Sequence, residues 1–309
     1  MQDKQWVGDS ILENHQTVNG GKAMKKMVLF LFGLVISMCM LQAQNDTLYI
    51  MKSGAVLGKY PTADIDSIIF YNPVTAGLTV TDVDGNTYTS VTVGTQTWMA
   101  ENLRTTHYAD GTPIPRASDQ ADWAALTDES EAYCWYNNDS AGYSAVYGAL
   151  YTWAAAMNGA PSSTAVPSGI QGVCPAGWHL PSDEEFTTLV SYMLANGYNY
   201  DGTTTGNKIG KAIADTSHWQ PSISEGTVGN TDYPAYRNKS GLSAVPGGYR
   251  DQWGTFFFLG GESHWWSATE YSSFSSEVRS LFYYSVDFNK LPPSCYYKKN
   301  GFSVRCMKN

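Results

Sequence analysis

The chain has 309 residues and a net charge of −9, with 15% of its residues charged and 14% aromatic. The acidic balance excludes a nucleic-acid binder, which needs a basic surface. Low charge together with 21 Tyr and 10 Trp suits an extracellular β-rich domain, in which some aromatic surface stays wet and available to a glycan or a protein.

Residues 1–23 are polar, show no apolar period and precede a complete export signal that starts at Met24, as though a start codon had been assigned too far upstream. Residues 24–43 read as a secretory signal peptide: Lys25 and Lys26 form a basic start, Val28 to Leu41 an apolar run, and Ala43 a small residue at a cleavage point. The apolar run is shorter than the roughly 20 residues that span a bilayer. Met38 before Cys39 is not the small residue that a lipoprotein signal requires, so no lipid anchor is expected there. The mature chain is expected to be secreted or held at the cell surface, with no membrane span once the leader is removed.

Residues 44–77 read as a short β segment and linker. Thr47–Met51 and Ser67–Tyr71 are β-like, Ser53-Gly54 and Tyr60-Pro61 are breakers, and Asn72 to Gly77 is the linker. The main domain is set at 78–309. Leu78–Asp82 and Thr87–Val93 alternate around Asp84-Gly85-Asn86, a hairpin turn signal. Asp82 to Asn86 resembles the start of a calcium loop, but the closing acid is missing, since Val93 stands in the twelfth position. A turn is therefore expected, and no metal site. Thr95–Met99 continues the strand pattern.

Two main helices are expected. One covers Tyr147–Asn158, with Leu150, Trp153, Ala154 and Met157 on one face. The other starts at Ser182, where Ser182 and Glu185 form a capping box and Asp183, Glu184 and Glu185 suit the positive end of the helix dipole. Phe186, Leu189, Val190, Met193 and Leu194 recur at helical spacing until Asn196-Gly197 stops it. From Ser240 onward the chain reads as strand and loop: Thr255–Leu259, His264–Thr269, Val278–Phe288 and Gly301–Met307 are the strands, and Leu291-Pro292-Pro293 is a loop.

Loss of the leader removes Cys39 and leaves Cys134, Cys174, Cys295 and Cys306. An even number in an oxidising compartment favours two disulfides, and four cysteines allow three pairings. Cys174 stands just before the capped helix and Cys306 inside the terminal strand-like run. Cys174–Cys306 is therefore favoured, with Cys134–Cys295 as the remainder; burial of some of them as free thiols is the alternative.

Nothing in the sequence nominates a catalytic residue or a cofactor. His107, His179, His218 and His264 are scattered, with no zinc spacing and no adjacent nucleophile motif, and His15 precedes the leader. The richer signal is aromatic. Tyr249, Arg250, Trp253, Phe256, Phe258, Trp265, Trp266, Tyr283 and Tyr284 fall close together. Neighbours in a strand point to opposite faces, so Trp265 and Trp266, or Tyr283 and Tyr284, cannot both be core if one face is solvated. One member of each pair would then stand on a ligand face; if both faces are covered, all are packing residues. The candidate ligand-binding set is Tyr249, Arg250, Trp253, Trp265, Trp266, Tyr283 and Tyr284.

Taken in order, a series of landmarks resembles one family. They include Gln96-Thr97-Trp98-Met99-Ala100-Glu101-Asn102-Leu103, Cys134-Trp135-Tyr136-Asn137-Asn138-Asp139, Tyr147 to Trp153, Cys174 to Pro181, Ser240 to Ala244, Gly247-Gly248-Tyr249-Arg250, Trp265 to Glu270 and Phe302 to Cys306. Over about residues 78–308 the chain is similar to the Fibrobacter succinogenes major paralogous domain, which implies an exported protein of a Bacteroidota-like bacterium and no particular activity. Trp178 to Ser182 followed by Glu184-Glu185-Phe186, and Gly301 to Arg305, also resemble the helix start and closing strand of the formylglycine-generating enzyme group. That second resemblance implies an α+β, C-type-lectin-like fold with twisted antiparallel or mixed sheets, two main helices and long loops. The enzyme group's cysteines and metal ligands are not matched, nor are the Glu-Pro-Asn and Trp-Asn-Asp triplets of calcium-dependent lectins, so neither activity carries over. The expected function is noncatalytic binding of a glycan or surface protein through the late aromatic loops. An extracellular hydrolase or oxidase, and a structural subunit of an adhesive assembly, are the alternatives.

Overall fold

The computed structural model describes residues 47–52, 55–62, 79–290 and 296–309. The extension 1–23, the signal peptide 24–43, the expected strand Ser67–Tyr71, the linker, Cys295 and the Leu291-Pro292-Pro293 loop lie outside the described residues. The chain divides into two compact units, Met1–Asn72 and Pro73–Asn309.

In the first unit β1 (Thr47–Lys52) pairs antiparallel with β2 (Ala55–Pro61), from Thr47 opposite Pro61 to Lys52 opposite Ala55. Tyr60-Pro61, read as a breaker, instead closes the second strand. Proline is tolerated at a strand end, where the ladder asks least of its missing N–H.

The second unit is a mixed α and β domain of several small antiparallel sheets and few helices. β3 (Val80–Thr81) and β4 (Thr87–Tyr88) flank the predicted turn. The Asp82 carboxylate accepts hydrogen bonds from Asn86 N and Asn86 Nδ2, both at 2.9 Å, and from the Tyr88 hydroxyl at 2.6 Å. Its lone pairs are thus engaged in fixing the turn. β5 (Ser90–Val93) and β6 (Gln96–Met99) form the next hairpin. α1 (Gln120–Ala124) and β7 (Tyr133–Cys134) follow.

The helix expected over Tyr147–Asn158 is broken. α2 (Ser140–Tyr147) ends at Gly148, β8 (Leu150–Tyr151) intervenes, and α3 (Trp153–Met157) restarts behind the Thr152 cap. Gly148 has a φ of +75°, and a Cβ there would lie 2.7 Å from the Leu103 carbonyl. Tyr151 meanwhile exchanges both backbone hydrogen bonds with Phe302, at 2.8 and 3.0 Å. A long-range pairing thus overrides local helical periodicity.

β9 (Trp178–His179) leads into α4 (Asp183–Ala195), which carries the predicted capping box with Ser182 and Glu185. His179 Nε2 meets Glu185 Oε1 at 2.9 Å, and His179 Nδ1 meets Asn309 Oδ1 at 2.7 Å, so this histidine joins the helix start to the chain end. The short α5 (Gly210–Ile213) precedes the late strands: β10 (Tyr249–Arg250), β11 (Phe256–Phe257), β12 (Glu262–Ser272), β13 (Ser275–Phe282), β14 (Asn289–Lys290) and β15 (Met307–Lys308). One sheet has the order β5-β6-β15-β9 and another β12-β13-β14.

The segment 301–307 is buried throughout and threads the domain. It bridges to Tyr151, Arg250 and Trp265 before joining β6 and β9. The Cys174–Cys306 disulfide closes a sequence separation of 132. Cys134 is a free, buried thiol, and its expected partner Cys295 lies outside the described residues. The β12–β13 ladder stands between two cores. Trp266 packs with Tyr151, Phe302 and Val304 in one, and Trp265 with Trp98, Phe186 and Leu281 in the other.

Candidate recognition surface

Both faces of β12 are covered, and that decides the fate of several candidate residues. Trp265 donates its indole N–H to Asn102 Oδ1 at 2.9 Å, and Trp266 to the Tyr151 carbonyl at 2.7 Å. Both are buried. They are packing residues and not ligand contacts, a correction to the sequence expectation.

Arg250 is corrected in the same way. In the β10–β11 hairpin Tyr249 lies opposite Phe257 and Arg250 opposite Phe256. The period of two therefore places Arg250 and Phe256 on one face and Tyr249 and Phe257 on the other. Arg250 is only 1% exposed. Its guanidinium sits 4.6 Å from the ring centres of both Trp123 and Phe256. It donates to the carbonyls of Ala117 (2.7 Å), Asp119 (3.0 Å), Gly254 (3.0 Å) and Ser118 (3.3 Å). A planar, five-donor group suits this fan of acceptors. Arg250 is a clamp that ties the hairpin to the loop before α1.

The clamp holds a display. Trp253, 65% exposed, rides the turn between β10 and β11. Asp251 Oδ1 accepts from the N–H groups of Trp253 at 3.0 Å and Thr255 at 2.8 Å. Gly254 follows at φ +85°, where a Cβ would lie 2.7 Å from the Gln120 carbonyl. The indole is thus held on a fixed backbone.

The other face of the hairpin carries a platform of rings, with Tyr249 half-buried against Phe302 at 5.7 Å. Tyr249, Phe257 and Phe258 have centroids 5.6 to 6.1 Å apart and planes inclined by 31 to 36°. Phe258 is 53% exposed and has a φ of +57°. A bulky residue in that region is strained by roughly 1–3 kcal/mol, and such strain concentrates at functional positions. Its carbonyl accepts from Gly261 N at 2.9 Å and Glu262 N at 3.0 Å, which holds the conformation.

The ring series continues past the hairpin. Tyr249 sets its edge against His264 at 5.1 Å, His264 meets Phe282 at 5.8 Å, and Phe282 stacks on Tyr284 at 5.5 Å. Tyr283 is half-buried beside Tyr284, which is 56% exposed. Of the candidate set, then, Tyr249, Trp253, Tyr283 and Tyr284 reach the surface. The half-buried Phe257 and Glu262 belong to the same surface and were missed, and Phe282 lies buried beneath Tyr284. The Phe256-Phe257-Phe258 run opposite Tyr249 was the available signal, legible only once the hairpin register is known.

His264 lies beneath the platform. Its Nδ1 is 2.8 Å from Ser280 Oγ and its Nε2 3.1 Å from Glu262 Oε2. Burial lowers its pKa, against the opposing effect of Glu262. A serine, a histidine and a carboxylate in line suggest hydrolytic chemistry, but Ser280 is completely buried, so a substrate carbonyl has no approach to it. His107 and His218 pair with Asp84 at 2.5 Å and Asp215 at 2.7 Å. Neither belongs to a metal-binding group, for no cluster of three His, Cys, Asp or Glu side chains suited to a metal occurs among the described residues. Burial pushes the Cys134 thiol up to about 12, which leaves it no nucleophile. A separate cavity of about 280 Å³ is lined by Tyr108, Asp110, Met157, Asn158 and Gly169 to Gly172. Among the described residues its ionisable side chains are Tyr108 and Asp110.

The second unit is thus a disulfide-closed mixed α and β domain with an exposed aromatic surface. Residues 91–308 match the Fibrobacter succinogenes major domain, and the chain belongs to that family. No curated protein and no solved structure matches it. Among the described residues no helix is long and apolar enough to cross a membrane.

Proposed function

We propose that this is a noncatalytic recognition domain, secreted or held at the cell surface, that binds glycan by stacking sugar faces on the Tyr249–Phe257–Phe258 platform, with Trp253 as an outlying contact. The observation that carries the reading is the group of partly exposed rings, mutually tilted by 31 to 36°, on a backbone fixed by Arg250, Asp251 and Gly254. Rings held in advance lose little freedom on binding, and flat apolar faces match the C–H faces of sugars. The Val28 to Leu41 leader pattern and the Cys174–Cys306 bridge support export to an oxidising compartment. We further propose a C-type-lectin-like architecture; small antiparallel sheets, a capped main helix and long late loops support it.

Affinity electrophoresis against a panel of polysaccharides tests the function. Phe258→Ala and Trp253→Ala are expected to weaken binding about tenfold each, since an aromatic contact contributes roughly 1.5 kcal/mol. Failure of the native protein to bind any polysaccharide would reject the reading.

A further inference from the structure

The ring series contains one carboxylate, and its surroundings point to the charge of the ligand. Glu262 follows Phe258 closely in the chain and stands directly opposite Phe282 in the β12–β13 ladder. Its Oε2 is held by His264 Nε2 at 3.1 Å. Burial works against protonation of that histidine, and Glu262 works the other way. No Lys or Arg forms an ion pair with Glu262 among the described residues. The carboxylate also lies close to Tyr284: burial first, and then Glu262, holds that phenol above its ordinary value.

A carboxylate that has no Lys or Arg partner among the described residues, and whose side chain keeps 13% of its exposure, is a poor neighbour for a neutral stacking ligand, because covering it removes water without replacing the lost hydrogen bonds. It is a good neighbour for an ammonium group. The faces of Tyr249, Phe258 and Tyr284 carry the negative side of the aromatic quadrupole and favour the same charge. The net charge of −9 adds a long-range attraction of the same sign. Building on the glycan reading, we propose that the platform selects polysaccharides whose sugars carry protonated amines, with Glu262 as the counter-charge and His264 as the residue that orients it. The flat rings accept the sugar face while the carboxylate receives the ammonium.

Calorimetry with a β-1,4-linked glucosamine hexamer and its N-acetylated counterpart tests this. The amine form is expected to bind at least about tenfold more tightly, as a partly desolvated ammonium–carboxylate contact on aromatic faces implies. The preference should shrink as salt is raised. Glu262→Gln keeps the side-chain volume and is expected to abolish the preference for the amine form; its urea midpoint reports whether the fold survives. Equal binding of the two hexamers by the native protein, a salt-independent preference, or a preference retained in Glu262→Gln would each overturn the proposal. So would binding of polylysine without binding of the glucosamine hexamer. Equal binding leaves the glycan reading standing, whereas silence across the whole polysaccharide panel removes both.

Discussion

Arg250 separates the structural reading from the one that the sequence invites. Exposed beside Tyr249 and Trp253, it would be a ligand contact, and its loss would weaken binding at constant stability. In the structure it is buried between Trp123 and Phe256 and donates to four carbonyls. Replacement by Met keeps much of the volume and leaves those acceptors without a donor. Each buried acceptor so orphaned costs about 1–3 kcal/mol, and the lost cation–π contacts add roughly 0.5–2 kcal/mol each. Relief from burying a charge offsets part of this. The expected net loss is about 3–5 kcal/mol for Arg250→Met. Arg250→Lys should recover only part of it, because one ammonium cannot reach a fan of carbonyls spread from Ala117 to Gly254. Urea unfolding followed by tryptophan fluorescence measures the change. A loss below about 1 kcal/mol, together with abolished glycan binding, would refute the clamp and restore Arg250 as a contact residue.

Three further outcomes follow from the same packing. Reducing Cys174–Cys306 should lower stability by about 5 kcal/mol in the chain-entropy account, given the separation of 132; an unchanged urea midpoint in reductant would contradict this. Gly172→Ala should destabilise by more than about 2 kcal/mol, since φ is +55° and the new Cβ would lie 2.1 Å from the Ala156 carbonyl, whereas Gly85→Ala, at φ +82° with nothing within 4 Å, should lose only the conformational 1–2 kcal/mol or so; equal losses would show that the close approach does not matter. His264, with a folded pKa below its ordinary 6.5, supports stability that is complete above that value and is lost as pH falls from it through the lowered one, because the unfolded chain takes up the proton first. His179 is raised by its hydrogen bond and charge contact with Glu185, against burial, so its contribution is complete below 6.5 and fades as pH rises through the raised value. His264→Gln should therefore reduce the acid loss measured by urea titration, and a steeper acid loss in that variant would reverse the assignment.

Legibility followed the range of the interaction. The Ser182–Glu185 capping box and the Asp84-Gly85-Asn86 turn are satisfied within a few residues, and both were readable in advance. The Cys174–Cys306 bridge was favoured because one cysteine precedes the capped helix and the other lies in the closing strand. The Tyr147–Asn158 helix failed because Tyr151 has a stronger partner in Phe302, near the other end of the domain. Phe257 escaped notice because a platform is defined by which rings share a face, and that depends on the β10–β11 register; Glu262 did because its place beside Phe282 depends on the β12–β13 register.

Local chemistry alone thus determined the capped helix, the turns, the alternating strands and the abundance of rings, since each is settled by neighbours along the chain. Whether Trp265, Trp266 and Arg250 meet water was decided only when segments 117–123 and 301–307 packed against them. Exposure is a property of what lies above a side chain in space, and a strand pattern names the two faces without saying what covers either.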